Sequence, residues 1–148
     1  PKINPSHISC TVEMFGHSKR PVLLVGQGVR IAGCSDMLVS LAEKFNIPVI
    51  TSRLGIDIIP SSHQLYVGRP GNYGERSANF ALQNADLIVS IGCRLATALV
   101  GHDSKNFGKH AKKIVVDIDL EELNKPGFDI DLKINGDAGV FVSELYYE

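Results

Sequence analysis

Two apolar runs in this chain each break into glycine. Pro21-Val22-Leu23-Leu24-Val25 leads into Gly26-Gln27-Gly28, and Leu87-Ile88-Val89-Ser90-Ile91 leads into Gly92-Cys93-Arg94. A strand that is apolar at successive rather than alternate positions has to be covered on both faces. That requirement places it inside a parallel sheet held between helices. Two such strands ending in glycine leave a nucleotide-sized crevice at their carboxyl ends.

The rest of the pattern alternates strand and helix. Strands are expected at Val22–Gly26, Ile47–Thr51, Leu65–Val67, Leu87–Ile91, Ile114–Ile118 and Ile130–Ile134. A first helix, capped by Ser6, carries Ile8, Val12 and Phe15 on one stripe and closes between Gly16 and Arg20. After Gly26 a loop is expected, then a helix from the N-cap Ser35 to Phe45 with Met37, Leu38, Leu41 and Phe45 on one face, ended by Asn46. Arg53 to His63 reads as irregular, broken by Gly55 and Pro60, and Gly68 to Gly74 is a glycine-rich loop. A helix with Ala78, Ala81, Leu82 and Ala85 inward follows. Arg94 to His110 is polar with one short helix, Glu121 to Leu123 forms a helical turn, and Asp137 caps a closing helix. This succession predicts one domain over residues 1–148: an α/β, doubly wound, Rossmann-like fold with a six-stranded parallel sheet, order 3-2-1-4-5-6, and helices on both faces. Gly26 and Gly92 then meet at one crevice.

Composition fits and narrows the reading. At 148 residues and 44% hydrophobic content the chain can bury a core without staples. A formal net charge of −1 gives no general attraction to nucleic acid or to an anionic membrane. The pair Lys112-Lys113 reads as an exposed strand entrance. Cys10, Cys34 and Cys93 are odd in number and lack CxxC spacing, which argues against disulfides and zinc and for a reducing, cytoplasmic compartment. No apolar run approaches the length of a membrane span, and the N-terminus has no signal-peptide pattern. The chain starts Pro1-Lys2 without methionine, so it is expected to be a piece of something longer.

The site motifs each admit two readings. Gly26-x-Gly28 lets backbone approach a diphosphate, and it is equally a bare turn. On the first reading, Gly28→Val blocks the ligand and spares the fold. The third glycine is Gly33, so the dinucleotide fingerprint fails, and strand two ends in Thr51-Ser52-Arg53 rather than in an acidic residue, against ordinary NAD binding. Asp117 and Asp119 can accept ribose hydroxyls or cap a turn. Asn72-Tyr73, at the tip of the glycine-rich loop, can meet a flat ring or a neighbouring domain. Arg94 is a phosphate fork or a solvated side chain, and Cys93 a reactive thiol or a small buried residue. His7, His17, His63, His102 and His110 are scattered, with no nucleophile or metal-ligand context. No catalytic constellation and no metal site are expected.

Arg20 to Arg30, Leu41 to Thr51, Gly68 to Gly74, Asn79 to Gly92, Ile114 to Asp119 and Gly136-Asp137-Ala138, taken in order, resemble the central domain of thiamine-diphosphate enzymes of the acetolactate synthase type. The resemblance implies a three-domain parent. One flanking domain supplies the glutamate that activates thiamine diphosphate, and the other holds its diphosphate through Mg²⁺; this stretch supplies neither. The expected partners are those flanking catalytic domains, in a homodimeric or homotetrameric transferase or lyase that decarboxylates a 2-keto acid such as pyruvate and ligates the product. The chain alone is expected to be inactive.

Acetolactate synthases also hold FAD in this domain in a non-redox role. The matching positions are Gly26, Gly28, Thr51, Ser52, Gly71, Asn72, Tyr73, Gly74, Gly92, Cys93, Arg94, Asp117, Asp119 and Asp137. Where the family continues through Asp-Asp-Arg before Val-Thr-Gly, this chain reads Leu95-Ala96-Thr97-Ala98-Leu99-Val100-Gly101. The lost polar cluster counts against FAD, so the crevice is expected to hold FAD, ADP or nothing. The competing class is a stand-alone FAD- or adenine-nucleotide-binding module of the electron-transfer flavoprotein type. A sirtuin-like deacylase is disfavoured by the missing zinc cysteines.

Overall fold

A computed structural model describes residues 2–148. Its sheet runs β1 (Pro21–Val25), β2 (Val49–Thr51), β3 (Tyr66–Gly68), β4 (Leu87–Ile91), β5 (Lys112–Asp117) and β6 (Leu132–Asn135). The spatial order is β3-β2-β1-β4-β5-β6 and all neighbours are parallel. Order and direction agree with the sequence pattern. β1 and β4 lie side by side, with Pro21 opposite Leu87 and Val25 opposite Ile91. The chain reverses its direction of winding between them, which opens the crevice.

Burial explains the continuous apolar runs. Every residue of β4 is buried, as are the last four of β1. Leu23, Val25, Val89 and Ile91 face one core, completed by α1 (Pro5–His17), α2 (Gln27–Ile31), α3 (Ser35–Phe45) and α7 (Ala138–Tyr147). Val22, Leu24 and Ile88 face the other, completed by α4 (Arg76–Asn84), α5 (Thr97–Val100) and α6 (Leu120–Leu123). Ala78, at 0% exposure, lets α4 lie close to its side of the sheet.

Several boundaries differ from the sequence reading for local reasons. Asn4, not Ser6, caps α1: its Oδ1 accepts the Ser6 N–H at 3.0 Å, while Pro5 sits in the first turn, where a missing N–H costs nothing. Ser35 is the first helical residue of α3 and Cys34 is its cap. No loop follows Gly26; Gln27 enters α2 directly. β2 begins only at Val49, beyond Pro48. Asn46 does end α3, in the left-handed conformation (φ 53°) that asparagine tolerates.

The Lys112-Lys113 pair is split. Lys112 is exposed, but Lys113 is 7% exposed, and its Nζ donates to the carbonyls of Gly108 and Ala111 at 3.0 and 3.2 Å. Burial lowers its pKa against the opposing pull of Asp131 and Asp129. The expectation of an exposed strand entrance thus fails at Lys113, because strand alternation turns its stem inward and the carbonyls of the preceding turn hold its head.

Candidate functional site

The two glycine breaks meet. Gly26 donates its N–H to the Ile91 carbonyl at 3.1 Å, Gly28 to the Gly92 carbonyl at 2.9 Å, and Gly92 to the Val116 carbonyl at 2.9 Å. A Cβ on Gly28 would lie 2.7 Å from the Gly92 Cα, and one on Gly26 would collide with the Gly92 carbonyl. Gly92 also holds a positive φ of 53°. The space freed by the missing side chains is therefore filled by the facing backbone, not left for a ligand. This overturns the expectation that Gly28→Val spares the fold.

Above this floor, at the carboxyl ends of the strands, lies a crevice of about 1250 Å³. Of the predicted residues, Gly28, Ser52, Gly92 and Asp117 line its strand ends; Tyr73, Gly74, Arg94, Asp119 and Asp137 line its sides. Gly26, Thr51, Gly71, Asn72 and Cys93 do not line it. Thr51 and Cys93 are buried, Cys93 within the core under α4, and the Thr51 Oγ1 has no hydrogen-bond partner. Burial, reinforced by Asp117, pushes the Cys93 thiol up to about 12, so it is a small packed residue and not a nucleophile. Gly71 packs against the Ala98 carbonyl, and Asn72 is exposed.

Sequence reasoning missed Gln27, Leu54, Arg69 and Glu122, which also line the crevice, and used Arg53 only as an argument against NAD. A signal for the arginines was present: each follows a short strand directly or within two residues, where α/β sheets place ligand contacts.

Charge is distributed unevenly around the opening. Asp117 ends β5, and Asp119 and Glu122 stand beyond it. Asp117 is half-buried. Burial raises its pKa, with help from Glu122 and Asp119 and against the N–H of Asp119, which one of its oxygens accepts at 2.9 Å. Asp119 accepts the Glu121 N–H at 2.9 Å and so caps α6. Asp137 caps α7 through the N–H groups of Gly139 and Val140. Glu122 sits between Arg94 (2.8 Å) and Lys125 (2.7 Å). Burial acts to raise the Glu122 pKa, but these two cations outweigh it and hold the carboxyl below its ordinary value. Arg94 is thus engaged by a carboxylate. On the β2–β3 side, Arg53 and Arg69 have no carboxylate partner within ion-pair distance among the described residues. Ile31, Leu54 and Ile118 give the rim exposed apolar surface.

No histidine lines the crevice, and no group of three or more His, Cys, Asp or Glu side chains capable of holding a metal occurs among the described residues. The arrangement can bind a polar, partly anionic molecule. It offers no nucleophile with its base.

Residues 8–145 match the family described as thiamine pyrophosphate enzyme, central domain. The chain is 37% identical over 142 residues to the probable acetolactate synthase large subunit of Methanococcus aeolicus, covering 96% of this chain and 23% of that one. It is 38% identical over 138 residues to the acetolactate synthase large subunit of Corynebacterium glutamicum, covering 93% and 22%. It is 31% identical over 134 residues to the 3D-(3,5/4)-trihydroxycyclohexane-1,2-dione hydrolase of Clostridium perfringens, covering 90% and 20%. The chain therefore spans under a quarter of the length of these relatives. A stand-alone flavin module finds no support in these matches.

Proposed function

We infer the function from one premise: the chain belongs to the family of central domains of thiamine pyrophosphate enzymes. The parent we propose is an acetolactate-synthase-like enzyme that decarboxylates a 2-keto acid such as pyruvate and ligates the product to a second one. Thiamine diphosphate and Mg²⁺ do that chemistry on flanking domains. Residues of this chain do not fit the metal, since the described part has no grouping of ligands for it. The parent is proposed to be a cytoplasmic homodimer or homotetramer. No helix among the described residues is long and apolar enough to cross a membrane.

Within the parent, we propose that this domain packs against its catalytic neighbours and holds an adenine nucleotide, ADP or FAD, in a structural role. The polarity of the crevice supports this reading most. Asp117 keeps a carboxylate oxygen for ribose hydroxyls at one end, and Arg53 and Arg69 are unpaired cations for phosphate at the other. The wall formed by Ala96, Ala98 and Leu99 is apolar where FAD-holding relatives were expected to be polar, which favours the smaller ADP. The experiment is an assay of acetolactate formation from pyruvate, thiamine diphosphate and Mg²⁺. The 148-residue chain should be inactive, and the parent carrying it should be active. Turnover by the chain alone, or a parent gene lacking a thiamine-binding domain, contradicts the proposal.

A further inference from the structure

One wall of the crevice is built from two segments far apart in sequence. Arg69, Pro70, Tyr73 and Gly74 come from the glycine-rich loop; Ala98 and Leu99 come from α5. Neither segment is a long helix or a strand; Tyr73 and Ala98 are exposed, Arg69, Gly74 and Leu99 are half-buried and Pro70 is buried. What joins them is the peptide of Gly71. Its φ of +114° and its contact with the Ala98 carbonyl allow only glycine there, and the next N–H, of Asn72, donates to that same carbonyl at 3.3 Å.

One side chain holds this joint. Asn79, in the first turn of α4, accepts the Gly71 N–H on Oδ1 at 2.8 Å and donates from Nδ2 to the Gly71 carbonyl at 3.1 Å. The Gly71 carbonyl has a second donor, the Gly74 N–H at 3.0 Å, while its N–H has Asn79 as its acceptor. The two bonds therefore differ in consequence. Losing the donor leaves the carbonyl satisfied; losing the acceptor leaves a part-buried N–H without a partner. Asn79 is not among the residues lining the crevice.

We propose that Asn79 is a positioning residue for the crevice: by gripping the Gly71 peptide it locks the glycine-rich loop onto α5 as one wall, and so sets ligand affinity without touching the ligand. The affinity part rests on the nucleotide reading above; the locking part does not.

Two variants separate the bonds. Asn79→Ala removes both, whereas Asn79→Asp keeps an acceptor for the Gly71 N–H. Amide hydrogen exchange and calorimetric titration with ADP are measured on the 148-residue chain. In Asn79→Ala, exchange at Gly71 and Asn72 should rise about tenfold or more while β4 stays protected, and the ADP dissociation constant should rise by a similar factor. Asn79→Asp keeps the acceptor for the Gly71 N–H but sets a carboxylate oxygen against the Gly71 carbonyl that Nδ2 held, so it should recover both in part; recovery no better than Asn79→Ala overturns the acceptor's role. Unchanged exchange in Asn79→Ala overturns the locking role. Faster exchange with unchanged ADP affinity overturns the positioning role. Binding of neither ADP nor FAD by the unsubstituted chain overturns the nucleotide reading and the affinity role with it, while exchange still decides the lock.

Discussion

Gly28 donates its backbone N–H to the carbonyl of Gly92 at 2.9 Å, and neither residue has room for a Cβ against the other. The contact joins the first turn after β1 to the first turn after β4, at the place where the sheet changes winding direction. Gly92→Ala should therefore lower the unfolding free energy by at least about 2 kcal/mol, combining left-handed backbone strain with overlap. Urea denaturation measures it. A loss within experimental error would show that the two turns separate freely.

Asp86 ties the entry of β1 to the entry of β4. It accepts the hydroxyl of Ser18 and the N–H groups of Lys19 (2.7 Å) and Arg20 (2.8 Å). Burial acts to raise its pKa, but these donors outweigh it and hold the carboxyl below its ordinary value. The stabilisation is present above the unfolded-state value of 3.8 and is lost as pH falls through the lower folded value. Asp86→Asn should be less stable than the unsubstituted chain at neutral pH, with the gap closing in acid. Thermal melts across that range check the sign.

Asp117 should behave in the opposite sense. Its folded pKa is raised, chiefly by burial, so the folded state gains stability as pH falls through that raised value and is weakest when the carboxylate is fully charged. Asp117→Asn keeps an oxygen for the Asp119 N–H. The variant should be at least as stable as the unsubstituted chain at neutral pH, with any advantage vanishing below 3.8. A variant clearly less stable at neutral pH would mean that the charge holds the fold and is not kept for a ligand.

Lys113→Met removes the buried ammonium but keeps the stem. The carbonyls of Gly108 and Ala111 then lose its hydrogen bonds, and the turn before β5 should exchange its amides faster. The expected cost is about 1–3 kcal/mol, the desolvation of an orphaned polar group less the relief of burying a charge. Equal stability would show that water replaces the ammonium without loss.

Strand order was legible because β1 and β4 are apolar at nearly every position, and only a covered parallel sheet accepts that. The meeting of Gly26 with Gly92 followed from the order. What the glycines are for did not follow: a missing Cβ reads the same whether the gap takes a phosphate or a facing peptide, and only the three-dimensional contact separates the two. Lys113 was misread because a basic pair looks solvated until strand alternation is applied to it. Arg69 lies in a glycine-rich loop, where a lone arginine looks like an ordinary solvated side chain. The engagement of Arg94 by Glu122 spans 28 residues of sequence, a distance over which local patterns carry no information.

The proposal that the crevice holds an adenine nucleotide is tested most directly by a calorimetric titration of the 148-residue chain with ADP. The predicted result is saturable binding of one ADP per chain, weakened about tenfold or more when Arg69→Ala removes an unpaired cation or Asp117→Ala removes the free carboxylate oxygen. Heats that never saturate, or an affinity that neither substitution changes, would contradict it.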